Sequence, residues 1–151
     1  MKSLLVVYHT QSGNTERLAR AVVRGAERNG EIEVRCSRAL AATLEDLLGC
    51  DCVVFGTAEY NGYMSGALKD FFDRTFYPAQ GLANNKPYAV VVSAGNDGTF
   101  AVQYIERIAR GYPLKRVAEP IVVVGEVTSA AEARCEELGE TLAAGLELGI
   151  F

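Results

Sequence analysis

Thr10-Gln11-Ser12-Gly13-Asn14-Thr15 lies between an apolar run, Leu4 to Tyr8, and a helical pattern that begins near Glu16. A strand that turns through hydroxyl residues and a glycine into a helix is built to hold a phosphate. The first N–H groups of a helix have no partner within it, and the helix dipole places partial positive charge there. No lysine follows Gly13, so this is not the GxxxxGK loop that grips a nucleotide triphosphate. The pattern predicts one terminal monophosphate held by neutral donors. A plain capped helix entry accounts for a single hydroxyl at the cap, not for Thr10, Ser12 and Thr15 around one glycine.

Working outward, apolar runs of strand length alternate with helical patterns along the chain. The strand candidates are Leu4 to Tyr8, Ile32 to Cys36, Cys52 to Gly56, Tyr88 to Ser93 and Ile121 to Gly125. Four are near-continuous apolar runs, as parallel strands covered on both faces require. The second alternates polar and apolar residues, which suits a half-exposed edge strand. Leu18, Val22 and Ala26 recur at helical spacing, with Asn29-Gly30 as the stop. A short helix is predicted over Ala42 to Leu48. Longer ones are predicted around Leu68 to Phe76, Ala101 to Tyr112, and Ala131 to Leu142. Such alternation implies right-handed crossovers and an α/β, three-layer, doubly wound domain. Its five-stranded parallel sheet is expected in the order 2-1-3-4-5, with the alternating second strand at an edge.

The 151 residues suit one domain, 1–151, able to bury about 68–70% of its unfolded surface. A net charge of -4 offers no basic excess for nucleic acid. No segment approaches the roughly 20 apolar residues of a membrane span, and the short N-terminal apolar run falls short of a signal peptide. A cytoplasmic protein is expected. Cys36, Cys50, Cys52 and Cys135 form no CxxC pair, and His9 is the single histidine, which argues against a metal centre. Small buried thiols are the expectation, with a redox role for Cys50 and Cys52 as the alternative.

In a doubly wound sheet, ligands bind beyond the carboxyl ends of the strands, where the strand order reverses. Three segments leave those ends: Thr10 to Thr15, Thr57 to Tyr63, and Ala94 to Phe100. All are rich in glycine, hydroxyls, amides or aromatics. The first resembles the phosphate loop of the flavodoxin family, Thr-x-Ser/Thr-Gly-x-Thr, which binds the phosphate of FMN. The resemblance implies that the Thr10, Ser12 and Thr15 hydroxyls, with the amides of Gln11, Gly13 and Asn14, hold that phosphate.

The second segment contains Glu59-Tyr60-Asn61-Gly62 and then Gly66-Ala67-Leu68-Lys69. It resembles the NAD(P)H-dependent FMN reductases, and Gly56-Thr57, Gly62 and Met64-Ser65 resemble the flavodoxin-like quinone reductases. Ala58 and Ser65 stand where those reductases carry proline, which implies a looser loop. Thr57, Ala58, Glu59, Tyr60, Asn61, Gly62 and Tyr63 are candidate FMN-binding residues. The tyrosines offer flat faces to the ring, and Asn61-Gly62 forms a turn able to adopt positive φ. The third segment adds Ser93, Ala94, Gly95, Asn96 and Gly98, whose amides the resemblance places at the pyrimidine edge of the flavin. Phe100 is expected to pack a helix face, and His9 to be structural.

No catalytic residue of the protein's own is expected, since a bound flavin would carry the chemistry. Two functions remain open. One is an oxidoreductase that uses NAD(P)H to reduce a quinone or similar small-molecule acceptor. The other is a one-electron carrier between redox-protein partners. Carriers of the flavodoxin kind are usually far more acidic, which favours the enzyme. The chain also lacks the insertion that such quinone reductases use to form tetramers, which implies an open substrate pocket and leaves a homodimer as an open assembly. A flavin-free scaffold is the third alternative.

Overall fold

The computed structural model describes residues 1–28 and 30–151. Four parallel strands form the body of the sheet: β1 (Ser3–Tyr8), β2 (Glu33–Arg38), β3 (Cys52–Ala58) and β4 (Pro87–Ala94). Two short strands, β5 (Lys115–Arg116) and β6 (Ile121–Val124), complete it. The helices are α1 (Asn14–Glu27), α2 (Leu44–Gly49), α3 (Gly66–Thr75), α4 (Thr99–Gly111) and α5 (Ser129–Glu147).

The order is β2-β1-β3-β4, and the fifth place is shared by β5 and β6. The expected doubly wound order therefore holds, with one refinement. β5 pairs with Pro87 and Tyr88 at the start of β4, and β6 pairs with Val91 to Ala94 at its end. β3 occupies the opposite edge of β4, so β5 and β6 are two pieces of one strand position. The break between them contains Pro120, which has no N–H to give a ladder.

Strand alternation divides the core into two layers. Leu4, Val6, Tyr8, Val54 and Val91 face α1 and α5, packing on Leu18, Val22, Leu138 and Leu142. Leu5, Val7, Val53, Phe55 and Val90 face α2, α3 and α4, packing on Leu47, Leu68, Phe72 and Ile105. Helices α1 and α5 touch backbone to backbone: a Cβ on Gly25 would fall 1.9 Å from the Glu136 carbonyl oxygen. Arg17, Arg24 and Arg28 then pair with Glu132, Glu136 and Glu140 across the outside of that contact.

Some boundaries differ from the sequence reading. β2 runs two residues past Cys36, to Arg38, because it stays in register with β1 as far as Tyr8. α2 starts at Leu44 rather than Ala42. The Thr43 side chain accepts from the Asp46 amide and the Asp46 carboxylate accepts from the Thr43 amide, a reciprocal cap that fixes the first turn. The stop assigned to Asn29-Gly30 rests on Asn29, which lies outside the described residues. β6 ends one residue early, since Gly125 turns with φ 81° and donates its amide to the Ala94 carbonyl.

Candidate functional site

The carboxyl ends of β1, β3 and β4 lie side by side and open on a cleft of about 350 Å³. That volume falls near the lower end for small-molecule sites. The first segment contributes Thr10, Gln11, Ser12, Asn14 and Thr15 to its wall; the second contributes Ala58, Glu59 and Tyr60; the third contributes Ser93, Ala94 and Gly95. Gly125, just beyond β6, completes the wall. The sequence reading missed Gly125. Only the split of the fifth strand position brings it there.

The first segment is held in shape from within. The Gly13 amide donates to Thr10 Oγ1 at 2.9 Å, and Gly13 takes φ 100° as the residue that caps α1. Thr15 is buried, and its hydroxyl lies 2.8 Å from Ser93 Oγ, which ties the first segment to the end of β4. The amide of Gly13 is therefore already spent on Thr10, while no side chain caps α1. The other four helices differ. Thr43, Ser65 and Thr128 cap α2, α3 and α5 with their own hydroxyls, and the Glu59 carboxylate fills the start of α4.

In the second segment, Tyr60-Asn61-Gly62-Tyr63 forms a two-residue hairpin. The Tyr60 amide donates to the Tyr63 carbonyl at 2.9 Å and the reverse bond is 3.1 Å. Asn61 and Gly62 take φ 53° and 75°, the paired positive values of a type I′ turn. Tyr60 lines the cleft and meets His9 edge to face at 6.4 Å. Burial raises the Tyr60 phenol above its ordinary pKa, and the nearby backbone amide of Gln11 opposes that rise. Burial first, and Arg38 second, hold the His9 imidazole below its usual value. Tyr63 turns the other way, against Tyr104 of α4, with ring centres 4.7 Å apart.

Three candidates also tie the framework together. Thr57 is fully buried; its hydroxyl accepts from the Ser65 amide at 2.9 Å and donates to the Ala58 carbonyl at 2.8 Å. Ser65 in turn caps α3 through its own hydroxyl. The expected looseness at Ser65 is thus corrected: a proline there would have no N–H for Thr57, so serine adds a tie. Glu59 Oε1 accepts from the Gly98 amide and Oε2 from the Ala101 amide, both at 3.1 Å. This carboxylate binds the second segment to the third, and its charge is spent on α4. Gly98 is buried against Val122. Asn61 and Asn96 are exposed on their turns. Phe100, expected to pack a helix face, is instead 50% exposed, and it stands next to Gly62.

The donor set suits a phosphate monoester carried on a larger apolar group. Hydroxyls, the amide side chains of Gln11 and Asn14 and an uncapped helix end converge on the cleft, and Tyr60 supplies an aromatic wall. No lysine or arginine lines it. Among the described residues no cluster of His, Cys, Asp or Glu could hold a metal ion. Cys50, Cys52 and Cys135 are buried free thiols, and burial pushes Cys50 and Cys135 up to about 11. Among the described residues no helix is long and apolar enough to cross a membrane.

Known proteins agree with this geometry. The family model described as NADPH-dependent FMN reductase matches residues 35–127. A protein named flavodoxin from Aquifex aeolicus (strain VF5) is 34% identical over 98 residues, which are 65% of this chain and 53% of that protein. The chain thus spans about half the length of that curated relative. Among solved structures, a flavodoxin from the domain Archaea superposes with a TM-score of 0.85 at 23% identity, over 96% of this chain and 99% of that one. The flavodiiron protein of Giardia intestinalis gives 0.84 at 19% identity, over 98% of this chain but 37% of that one. Both share the fold. The family match covers more than half of the sequence, and the chain therefore belongs to the NADPH-dependent FMN reductase family, flavodoxin-like proteins whose cofactor is FMN.

Proposed function

We propose that the protein is an FMN-dependent oxidoreductase that uses NAD(P)H to reduce a quinone or a similar small acceptor. The observation that carries the reading is the uncapped start of α1, aimed at a cleft whose other walls are the ends of β3 and β4. Thr10, Gln11, Ser12, Asn14 and Thr15 hold the phosphate, with Gly13 bent to let the loop close. The segment from Ala58 to Gly62 and the segment from Ser93 to Gly98 border the ring, with Thr57 buried behind the first and Tyr63 turned onto α4. FMN, when bound, supplies the electron-transfer chemistry that joins a reduced nicotinamide to an acceptor. The chain's own part is position: Glu59 and Thr57 fix the two ring-side segments to α4 and α3, and Tyr60 shields one side from water.

A net charge of -4 gives only a weak field for steering toward a basic redox protein, which favours a small-molecule acceptor. The carrier reading keeps one specific support, the end-to-end overlap with the archaeal flavodoxin. The test is a visible spectrum of the purified protein, followed by anaerobic addition of NADPH or NADH. The oxidoreductase reading expects a yellow protein that bleaches with nucleotide and recovers with a quinone. A yellow protein that responds to dithionite and ignores both nucleotides supports the carrier. A colourless protein that takes up no FMN defeats both.

A further inference from the structure

Helix α1 carries an acid in its first turn that takes no part in the cleft. Asn14, Thr15 and Glu16 open the helix; the first two line the cleft, and Glu16 does not. Both Glu16 oxygens are engaged elsewhere. Oε2 accepts from the Tyr8 hydroxyl at 3.1 Å and lies 3.6 Å from Arg20, one turn on. Oε1 lies 3.6 Å from Arg38. These groups come from β1, α1 and β2, and the sheet brings them together, since Tyr8 and Arg38 are register partners at the ends of their strands. Tyr8 is buried, which fixes where its hydroxyl can stand, and the Arg38 guanidinium lies 5.7 Å from the centre of its ring.

Helix α2 shows what an acid at this position otherwise does. Asp46 is the third residue of α2, as Glu16 is of α1, and its carboxylate accepts from the amide of the cap residue Thr43 at 2.9 Å, although Arg35 holds its other oxygen. A carboxylate in that place occupies the positive end of the helix dipole. At α1 it would stand among the amides that face the cleft, and a second anion arriving there would be repelled. An acid in the first turn steadies any helix through the dipole. That general effect does not require both oxygens of Glu16 to be turned to Tyr8 and Arg38 at the edge of the sheet.

We propose that Tyr8, Arg20 and Arg38 are positioning residues that hold the Glu16 carboxylate off the start of α1, and that this hold sets the preference for a phosphorylated over an unphosphorylated flavin. The inference rests on the reading above that the FMN phosphate sits at the start of α1. It adds that the cradle stays free of negative charge because the acid next to it in sequence is tied to the ends of β1 and β2. Arg38 would also attract a phosphate directly, as any cation does. Tyr8→Phe separates the two effects, because it removes a hydroxyl and no charge.

Quenching of flavin fluorescence, in titrations of FMN and of riboflavin with the apoprotein, tests it. Wild type should prefer FMN, and Tyr8→Phe should reduce that preference about threefold through weaker FMN binding, with riboflavin affinity unchanged. Arg38→Gln, at a half-exposed position that any fold of the loop tolerates, should reduce it by a similar factor. Glu16→Gln should restore the preference in Tyr8→Phe, because no carboxylate is left to release. It should also shrink the Arg38→Gln loss, which plain attraction between Arg38 and the phosphate would leave intact. A loss that persists in Tyr8→Phe/Glu16→Gln, a preference that neither single variant moves, or equal weakening of FMN and riboflavin overturns the inference while the phosphate reading stands. A wild-type protein that binds both flavins equally well removes the phosphate reading itself, and the inference with it.

Discussion

Helices α1 and α4 begin in almost the same way and end up with opposite neighbours. Each is preceded by a glycine, Gly13 at φ 100° and ψ -11°, Gly98 at φ 87° and ψ -14°, and neither glycine has a side chain to cap the helix. At α4 the protein supplies the missing anion, the Glu59 carboxylate on the amides of Gly98 and Ala101. At α1 it supplies none, and arranges Thr10, Gln11, Ser12, Asn14 and Thr15 around the open end instead. The difference lies in what each backbone bend faces, not in the bend itself. One end is closed by the protein's own carboxylate and its twin is left open to the cleft.

Adding a methyl group to each glycine should separate the two ends most strongly. Both substitutions force a side chain into left-handed backbone, which costs about 1–2 kcal/mol. At Gly98 the new Cβ would also lie 2.5 Å from Val122 Cγ1, whereas at Gly13 nothing lies within 4 Å. Overpacking adds about 1–3 kcal/mol at Gly98 alone. Urea unfolding of the apoprotein should therefore show Gly98→Ala losing about 3 kcal/mol and Gly13→Ala about half of that. Equal losses would mean that Val122 yields freely and that the two ends are not distinguished by packing.

Removing the internal anion comes next in size. Glu59→Ala leaves the Gly98 and Ala101 amides unpaired at a helix start, at a cost of about 2 kcal/mol. The loss should be at least as large with FMN as without it, because the carboxylate it removes also holds the two ring-side segments together. Ser12→Ala is its counterpart at α1. It should change apoprotein stability by less than about 0.5 kcal/mol, since Ser12 is exposed and its hydroxyl bonds to none of the described residues. FMN affinity, read by fluorescence quenching, should drop about five- to tenfold, the worth of roughly one hydrogen bond. A Glu59→Ala loss that FMN repairs, or a Ser12→Ala that destabilises the apoprotein, would dissolve the contrast between the ends.

This contrast also marks what could be read from the residues in order. The strands that face both layers announce themselves by continuous apolar runs, and the loop after β1 by three hydroxyls around Gly13. Those are local signals, and they placed the sheet order and the hydroxyl-lined side of the cleft. The roles of Glu59 and Thr57 are not local. A carboxylate 39 residues from the amide it caps carries no sequence mark of that pairing. Tyr60 and Tyr63 look equivalent in sequence, yet a two-residue hairpin sends the first to the cleft and the second to α4. The division of the fifth strand position, which brings in Gly125, follows from Pro120 meeting a ladder that only the assembled sheet defines.

The smallest effect concerns the ionisable neighbour that the α1 end has next to its loop. Burial, and secondarily the charge of Arg38, hold His9 below its usual value of 6.5 in the folded protein. The unfolded chain then binds the proton more readily than the folded one as pH falls past that value. Where the unfolded state holds more protons, stability rises with pH. His9 thus contributes stability that is complete above about 6.5 and is lost as pH drops through that value toward the folded pKa. Urea midpoints of the wild type and His9→Gln should differ by a constant amount above that pH and converge or cross below it. Glu136, whose carboxyl is held low by Arg24 and Arg28, acts in both proteins and only at lower pH, so it cancels in the comparison. Saturating FMN should flatten the His9 dependence, because a phosphate on the adjoining loop favours the protonated imidazole. A dependence unchanged by FMN would place the phosphate elsewhere than at the start of α1.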